Sequence, residues 1–333
     1  MTSGALERDK VSIGPLGVWL GSRSLFLIFF VGMFSEAATL KNSLVVVIGS
    51  LFLFLPLLAW AAEQSLEARR AELNRLLADE WEYTLRKQPE LATHIGDNRY
   101  NDRLSDFSDK AIADDLEHSR QALRRFEAID PTGFPEQEKL NQSLMVRSLR
   151  DGIEAARFKD WEMPATQFGG IHLGYASLPF DSPFRNVKDY EDYLSRLRQI
   201  PRVLEQAMGH MRDGLREHLM PPKYLLEKVS VQAQGIADSP LDKSPFTDPL
   251  RKFPDSISEA DRQRLRTAIE RAVKNEVAPA YAKFAKFVRE DYAPHGRIDP
   301  GVWALPDGEA RYRYAVRHQT TTEVTANQIH DWG

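Results

Sequence analysis

Eight histidines are the first place to look for chemistry: His94, His118, His172, His210, His218, His295, His318 and His330. Zinc-centred hydrolysis needs about three protein ligands, an open coordination position and a general base. None of the eight opens an H-E-x-x-H, the pattern that sets two histidines on one helix face beside a glutamate base. The nearest local group is His210, Asp213, Glu217 and His218, with His210 and Asp213 one helical turn apart. Arg212 and Arg216 are interleaved with them, and the mixture reads as a solvated, mixed-charge face. His172 lies in Gly169-Gly-Ile-His-Leu-Gly174. Glycines there permit close backbone approach to a ligand, although a loop packed over helices accounts for the same residues. Arg317, His318 and Thr320 to Thr322 form a polar cluster near the end of the sequence. Arginine presents a forked donor to a substrate carboxylate, while basic residues also suit a helix C-terminus for electrostatic reasons alone. His172, Arg317, His318 and Thr320 are therefore the candidate substrate-binding residues, and no metal ligands are assigned. The sequence has no G-x-S-x-G nucleophile elbow and no G-x-G-x-x-G dinucleotide motif.

Composition narrows the classes further. The 333 residues are 42% hydrophobic and 28% charged, a balance that supports a folded core. The formal net charge is −4, and residues 62–333 alone carry 40 basic and 45 acidic side chains, so a nucleic-acid-binding surface is not expected. There is no cysteine. That removes disulfides, thiolate-held zinc, iron–sulfur clusters and a lipidated cysteine from consideration.

Two apolar stretches precede the polar body of the chain. In the second, Lys41 leads into the apolar run Leu44 to Leu58, followed by Ala59-Trp-Ala61. A positive start, an apolar centre and an A-x-A site describe a signal peptide cleaved after Ala61; a membrane anchor is the alternative. The first stretch, Leu16 to Phe34, is broken by Gly21, Ser22, Arg23 and Ser24. A mid-span arginine costs about 2.5–3.5 kcal/mol on insertion scales, so translation is read as starting at Met33, with a two-helix membrane hairpin as the alternative. The resulting organisation is an over-extended start at 1–32, a signal peptide or membrane anchor at 33–61, and a helical domain at 62–333. The protein is then periplasmic or secreted, or held at the inner membrane by its N-terminal segment, its only membrane contact.

From Glu63 onward the apolar residues recur at helical spacing. Leu66, Leu73, Leu76, Leu77, Trp81 and Leu85 mark a first helix that Pro89 ends. Ser108 can cap a second helix running to about Ile129. A third runs from Pro135 to about Phe158 with Leu140, Leu144, Leu149 and Ile153 as its stripe. Residues 160–186, with Trp161, Phe168-Gly-Gly170, Pro179 and Pro183, read as one long irregular connection, a kind of loop that is often functional. Helices resume at about 187–198, 201–218, 222–237, 258–275 and 276–291, with a proline-rich loop at 238–256. Thr325 and Gln328 have capping-box spacing, which announces a helix that Gly333 cuts short. The expected fold is an all-α array of antiparallel helices with long irregular loops, truncated at its C-terminal end.

Several of these segments carry a family resemblance. Trp81-Glu-Tyr83, Pro89-Glu-Leu-Ala-Thr93 and Gly96-Asp-Asn-Arg-Tyr-Asn-Asp-Arg103 resemble the start of the bacterial domain of unknown function 885 family. Tyr190 to Leu197 with Pro201, Met211-Arg-Asp-Gly214 and Pro221-Pro-Lys223 are similar to its middle. Gly301 to Gly308, Tyr312, Tyr314, His318, Thr320 to Thr322 and Ile329-His330 are similar to a later part, so the resemblance spans about 65–333. The resemblance implies a mostly helical protein related to zincin-type metallopeptidases, with a His-Glu-x-x-Pro-Gly-His-like metal motif downstream of these segments. No position here matches that motif. Zinc is accordingly expected only in a full-length relative, and no cofactor in this chain. The implied function is the exported, helical N-terminal portion of a zinc-peptidase-like hydrolase of unknown substrate, with a peptide as the candidate, inactive alone. The alternative is a non-enzymatic periplasmic helical domain that binds a partner or peptide through residues 160–186.

If the A-x-A reading holds, the mature protein begins at Ala62. N-terminal sequencing of protein from the native envelope checks this, and an intact Met1 or Met33 on a membrane-bound species refutes cleavage.

Overall fold

The computed structural model describes residues 65–333; the apolar stretches, the Met33 start and the Ala61 cleavage site lie outside the described residues. Twelve α-helices and no strand are found among the described residues, in agreement with the all-α expectation. One isolated parallel bridge joins Pro222 to Arg297.

Three of the first four helices build one small core. Helix α1 spans 65–87, and α2 is Pro89–His94, with Pro89 in the first turn where its missing N–H costs nothing. Helix α3 is Asp109–Glu127, and the Ser108 hydroxyl accepts from the Ala111 amide as the sequence predicts. Helix α4 is Glu136–Ala155. Leu73 and Leu76 of α1 meet Phe126, Ile129 and Phe134, with Met145, Val146 and Leu149 of α4 packed against them. Two expected stripes need correction: Trp81 of α1 and Leu140 and Leu144 of α4 are exposed. The inward position on α4 is Gln142, whose side-chain amide donates to the carbonyls of Phe126 and Ile129, both at 2.8 Å. A polar side chain takes the buried place because the end of α3 leaves carbonyls without helical partners.

The larger core surrounds α7, Val187–Arg216, together with α8, Lys223–Ala237, α9, Glu259–Ala272, and α10, Ala278–Phe287. The break expected between 198 and 201 does not occur, and Pro201 lies inside one 30-residue helix. An interior proline costs about 3 kcal/mol or more. Leu197, Ile200, Val203 and Leu204 are all fully buried around it, and each contributes about 1.5–3 kcal/mol, so packing outweighs the lost hydrogen bond. Residues 259–295 likewise run as a continuous helical rod through π-helical turns at Val273–Val277 and Val288–Tyr292. Each π turn rotates the face that follows it, which keeps Val277, Tyr281, Phe284, Val288 and Tyr292 buried in turn.

The connection at 160–186 is less irregular than expected. It contains a 3-10 turn at Asp160–Glu162, helix α5 at Ile171–Ala176 and helix α6 at Leu178–Asp181. After α10, helix α11 is Gly308–Thr320 and α12 is Ala326–Trp332, the latter opened by the Thr325–Gln328 capping box. Tyr314 and Val316 of α11 are half-buried while Tyr312 stays exposed.

One buried cation binds the 89–103 segment to α7. Arg196 is 1% exposed. It donates to the carbonyl of Arg103 at 2.8 Å, of Pro89 at 2.9 Å and of Tyr100 at 3.3 Å, and to the Thr93 hydroxyl oxygen at 2.6 Å. Burial pulls its pKa down from the usual arginine value, and Glu90 and Asp102 oppose that pull. An Arg196→Ala variant leaves these acceptors buried and unpaired, and is expected to lose at least about 3 kcal/mol in urea unfolding. Arg196→Lys recovers only part, because a single ammonium cannot span the set of acceptors that the fork reaches. A loss below about 1 kcal/mol for the alanine variant would show that the cation is not structural.

Candidate functional site

Between the two cores runs a groove of about 710 Å³. The end of α1 supplies Arg86 and Lys87, and α2 supplies Glu90 and Leu91. The following segment gives Arg103 to Phe107, and α3 presents Ile112, Asp115, Leu116 and Ser119. Gly152 and Ala155 of α4 and Asp160-Trp161 close the far side. Ile112 and Leu116 lie one turn apart on α3 and Ala155 of α4 faces the same groove, so the floor is apolar. The rim carries both signs of charge. Glu90 is already engaged, accepting from the Ser105 amide at 2.9 Å and hydroxyl at 2.6 Å. Tyr83 stacks on His118 at a ring separation of 3.5 Å and donates to Asp115 at 2.9 Å, which fixes one wall.

At the Phe107 end, the structure assembles a group that the sequence scatters. His210 is 5% exposed, so its part of α7 is not the solvated face that its charged neighbours suggest. Its Nε2 lies 2.5 Å from the carbonyl of Phe107. Asp109, the first residue of α3, and Asp213 complete a set whose ligand atoms all lie within 4.8 Å of one another. Glu162 is buried above Gly214: a Cβ at that glycine would sit 2.8 Å from the Glu162 carbonyl oxygen and 3.1 Å from its Cβ, so only glycine admits the turn. Burial pushes the Glu162 carboxyl above the usual range, Glu217 adds to this, and Lys159 opposes it.

The sequence candidates fall elsewhere and apart. His172 is fully buried. Its Nε2 lies 3.1 Å from the Gln232 side-chain oxygen and its ring stacks on Phe284. Its backbone carbonyl accepts from Tyr281 at 2.7 Å. Gly170 is needed for the ring itself, since a Cβ there would lie 2.8 Å from the His172 Cε1 and 2.5 Å from the Thr166 carbonyl. Arg317 pairs with Glu154 and His318 with Asp151 at 3.3 Å, so both fasten α11 to α4. Thr320 donates to the Val316 carbonyl at 2.8 Å within its own helix. None of the four lines the groove. Arg311, which sequence reasoning passed over, is buried and joins Asp160 at the groove edge at 2.6 Å. Phe107, Asp109 and Glu162 were missed too, because each matters only through distant neighbours and none sits in a local motif, whereas Trp161 belongs to the 160–186 connection that the sequence singled out.

A family model described as a bacterial protein of unknown function, DUF885, matches residues 89–333. The chain belongs to the DUF885 family. A solved structure described as "the putative lipoprotein from Colwellia psychrerythraea" superposes with a TM-score of 0.69 at 20% identity, over 81% of this chain and 48% of that one. This DUF885 chain therefore spans about half the length of that protein, and the likeness is one of fold. No curated protein matches the sequence.

The buried His172 gives a pH test of the larger core, where it stacks on Phe284. Burial lowers its pKa from the usual value, while the unfolded ring takes up a proton near pH 6.5. Between the two values the unfolded state binds more protons. Stability is therefore full above about pH 7, falls as pH drops through about 6.5, and levels off below the folded value, by up to about 1.4 kcal/mol per pH unit. Urea midpoints at about pH 7.5 and 5.5 should fall more for the wild type than for His172→Phe, which keeps the stack on Phe284. Equal slopes in the two proteins would refute the assignment.

Proposed function

We propose that the described domain is the helical wall of a peptide-binding cleft in an exported, peptidase-like hydrolase of the DUF885 family. The groove between the α1–α4 helices and the α7 core carries the reading. Its apolar floor suits alternate side chains of an extended segment, and its rim of Arg86, Lys87, Arg103, Asp115 and Asp160 offers partners for a polar backbone and for termini. Its volume of about 710 Å³ holds several residues of peptide. Residues 160–186 contribute Trp161 to this groove, which supports a binding role for that segment.

Two further points support the whole-protein reading. The segments quoted above resemble relatives of zinc peptidases, and the chain covers 48% of the related solved protein. The order of Lys41, apolar run and Ala59-Trp-Ala61 supports export, as does the description of that related protein as a lipoprotein. Among the described residues no helix is long and apolar enough to cross a membrane. Because no residue here matches the zincin-type motif, we assign this chain a role in holding substrate and none in cleaving it.

Fluorescence anisotropy with a mixed library of labelled peptides tests the proposal. Saturable binding is expected, with Trp161→Ala weakening it at least about tenfold, a loss of roughly 1.4 kcal/mol, at unchanged melting temperature. Mass spectrometry of the same mixtures should show no cleavage by this chain. Absence of saturable binding, or binding indifferent to Trp161→Ala and Leu116→Arg, would defeat the reading.

A further inference from the structure

The group at the Phe107 end of the groove has the chemistry of a cation site. The Phe107 carbonyl can only accept, so the His210 Nε2 at 2.5 Å must carry the hydrogen. In the neutral ring this leaves the Nδ1 lone pair pointing outward, and Asp109 Oδ1 lies 3.5 Å from it. Asp213, one turn along α7 from His210, brings a second carboxylate to within 4.8 Å of both. A lone pair and two carboxylates converging on one point repel each other unless something positive lies between them. A histidine that donates its far N–H to a backbone carbonyl is in the state and orientation of a metal ligand.

A separate observation comes from another part of the chain. Glu162 is 4% exposed and its Oε2 has no hydrogen-bond partner. Its main chain rests on Gly214, next to Asp213. Its carboxylate is within Coulombic reach of Asp213 and His210, and its Oε1 lies 3.7 Å from Lys159. The carboxylates of Asp109, Glu162, Asp213 and Glu217 are answered by Lys159, which also pairs with Glu217, and by Arg216, which pairs with Asp213. Four negative charges against two positive ones leave room for a divalent ion.

We propose that His210 Nδ1, Asp109 and Asp213 form a zinc-class divalent-cation site that ties the start of α3 to the last turns of α7, with Glu162 as a buried, unpartnered carboxylate beside the same stretch of α7. One imidazole with carboxylates favours zinc over calcium or magnesium, which prefer oxygen ligands throughout. Zinc–ligand bonds of about 2.0–2.2 Å set tetrahedral ligand atoms roughly 3.3 Å apart. The His210–Asp109 separation of 3.5 Å already meets that spacing, while Asp213, whose ligand atom lies within 4.8 Å of both, must turn inward and exchange Arg216, an exposed partner, for the ion. This site is distinct from any zincin-type motif and does not depend on the peptide-binding reading.

Calorimetric titration of the full chain with zinc chloride, after treatment with chelator, tests the site. One equivalent of zinc is expected, with a rise in melting temperature. Asp109→Asn neutralises an exposed carboxylate, and should melt within a few degrees of the wild type in chelator, the loss being that of one charge at a helix start, while weakening zinc at least about tenfold. Asp213→Asn should do the same, and Glu162→Gln should weaken zinc without abolishing it. Absence of saturable zinc uptake would overturn the proposal and leave a proton as the charge between His210 and the carboxylates. Zinc uptake unchanged in both aspartate variants, or calcium bound in preference to zinc, would overturn it equally.

Discussion

The Arg196 guanidinium is the point on which the rest of the architecture turns. It is a charge buried to 1% exposure, and it has no carboxylate at hydrogen-bond distance. A bare buried cation costs several kcal/mol, so its persistence needs full solvation by the protein. The carbonyls of Pro89, Tyr100 and Arg103 and the Thr93 hydroxyl provide that solvation. Thr93 is itself held by the Pro89 carbonyl and the Asn101 side chain. A loop with few apolar residues is thereby made rigid, and its ends are fixed against the middle of α7.

That attachment sets where the groove lies. Its walls come from two cores that share little apolar surface, one around Leu73 and Phe126 and the other around α7 to α10. The 89–107 segment bridges them, assisted by Gln199 and Gln206 of α7, whose side-chain oxygens accept from the Leu104 and Phe107 amides, both at 3.1 Å. On the opposite side, Arg311 fills the same role between α11 and the 158–160 turn, through the Phe158 carbonyl and Asp160. Polar side chains satisfying loop carbonyls, more than apolar contact, hold the groove open at a fixed width. Such joints are directional, which suits a binding surface better than sliding apolar faces do.

The acidic group near Phe107 follows from the same placement. Because the Phe107 amide is pinned to Gln206, its carbonyl is presented to His210 one turn further along α7. Ser108 then caps α3 and leaves Asp109 at the helix start, where the N-terminal dipole favours its negative charge. Gly214 admits the 159–162 turn, bringing Glu162 down onto the same stretch of helix. Three chain segments with no sequence relationship meet there because each is held by a separate backbone constraint.

Helical periodicity, capping residues and prolines were enough to establish the all-α class, the positions of α3, α4, α8 and α12, and the cap at Ser108. These are local signals, decided within about one or two helical turns. The family was legible from the order of short segments along the chain. Local signals failed where long-range packing overrode them. Pro201 lies within a continuous helix because the apolar burial around it is larger than its cost. Leu140 and Leu144 point outward because Gln142 was needed at the end of α3. The sequence candidates show the same limit. Arg317 and His318 looked free to bind a ligand, but Glu154 and Asp151 of α4 occupy them. His172 looked like part of an open loop but lies in the core. Conversely, His210 looked solvated until Phe107 and Asp109 were folded against it. The sequence alone determined which residues are helical and how each helix begins. Only the tertiary structure decided which charges meet, because hydrogen bonds and ion pairs between segments about 100 residues apart leave no periodic trace in the chain.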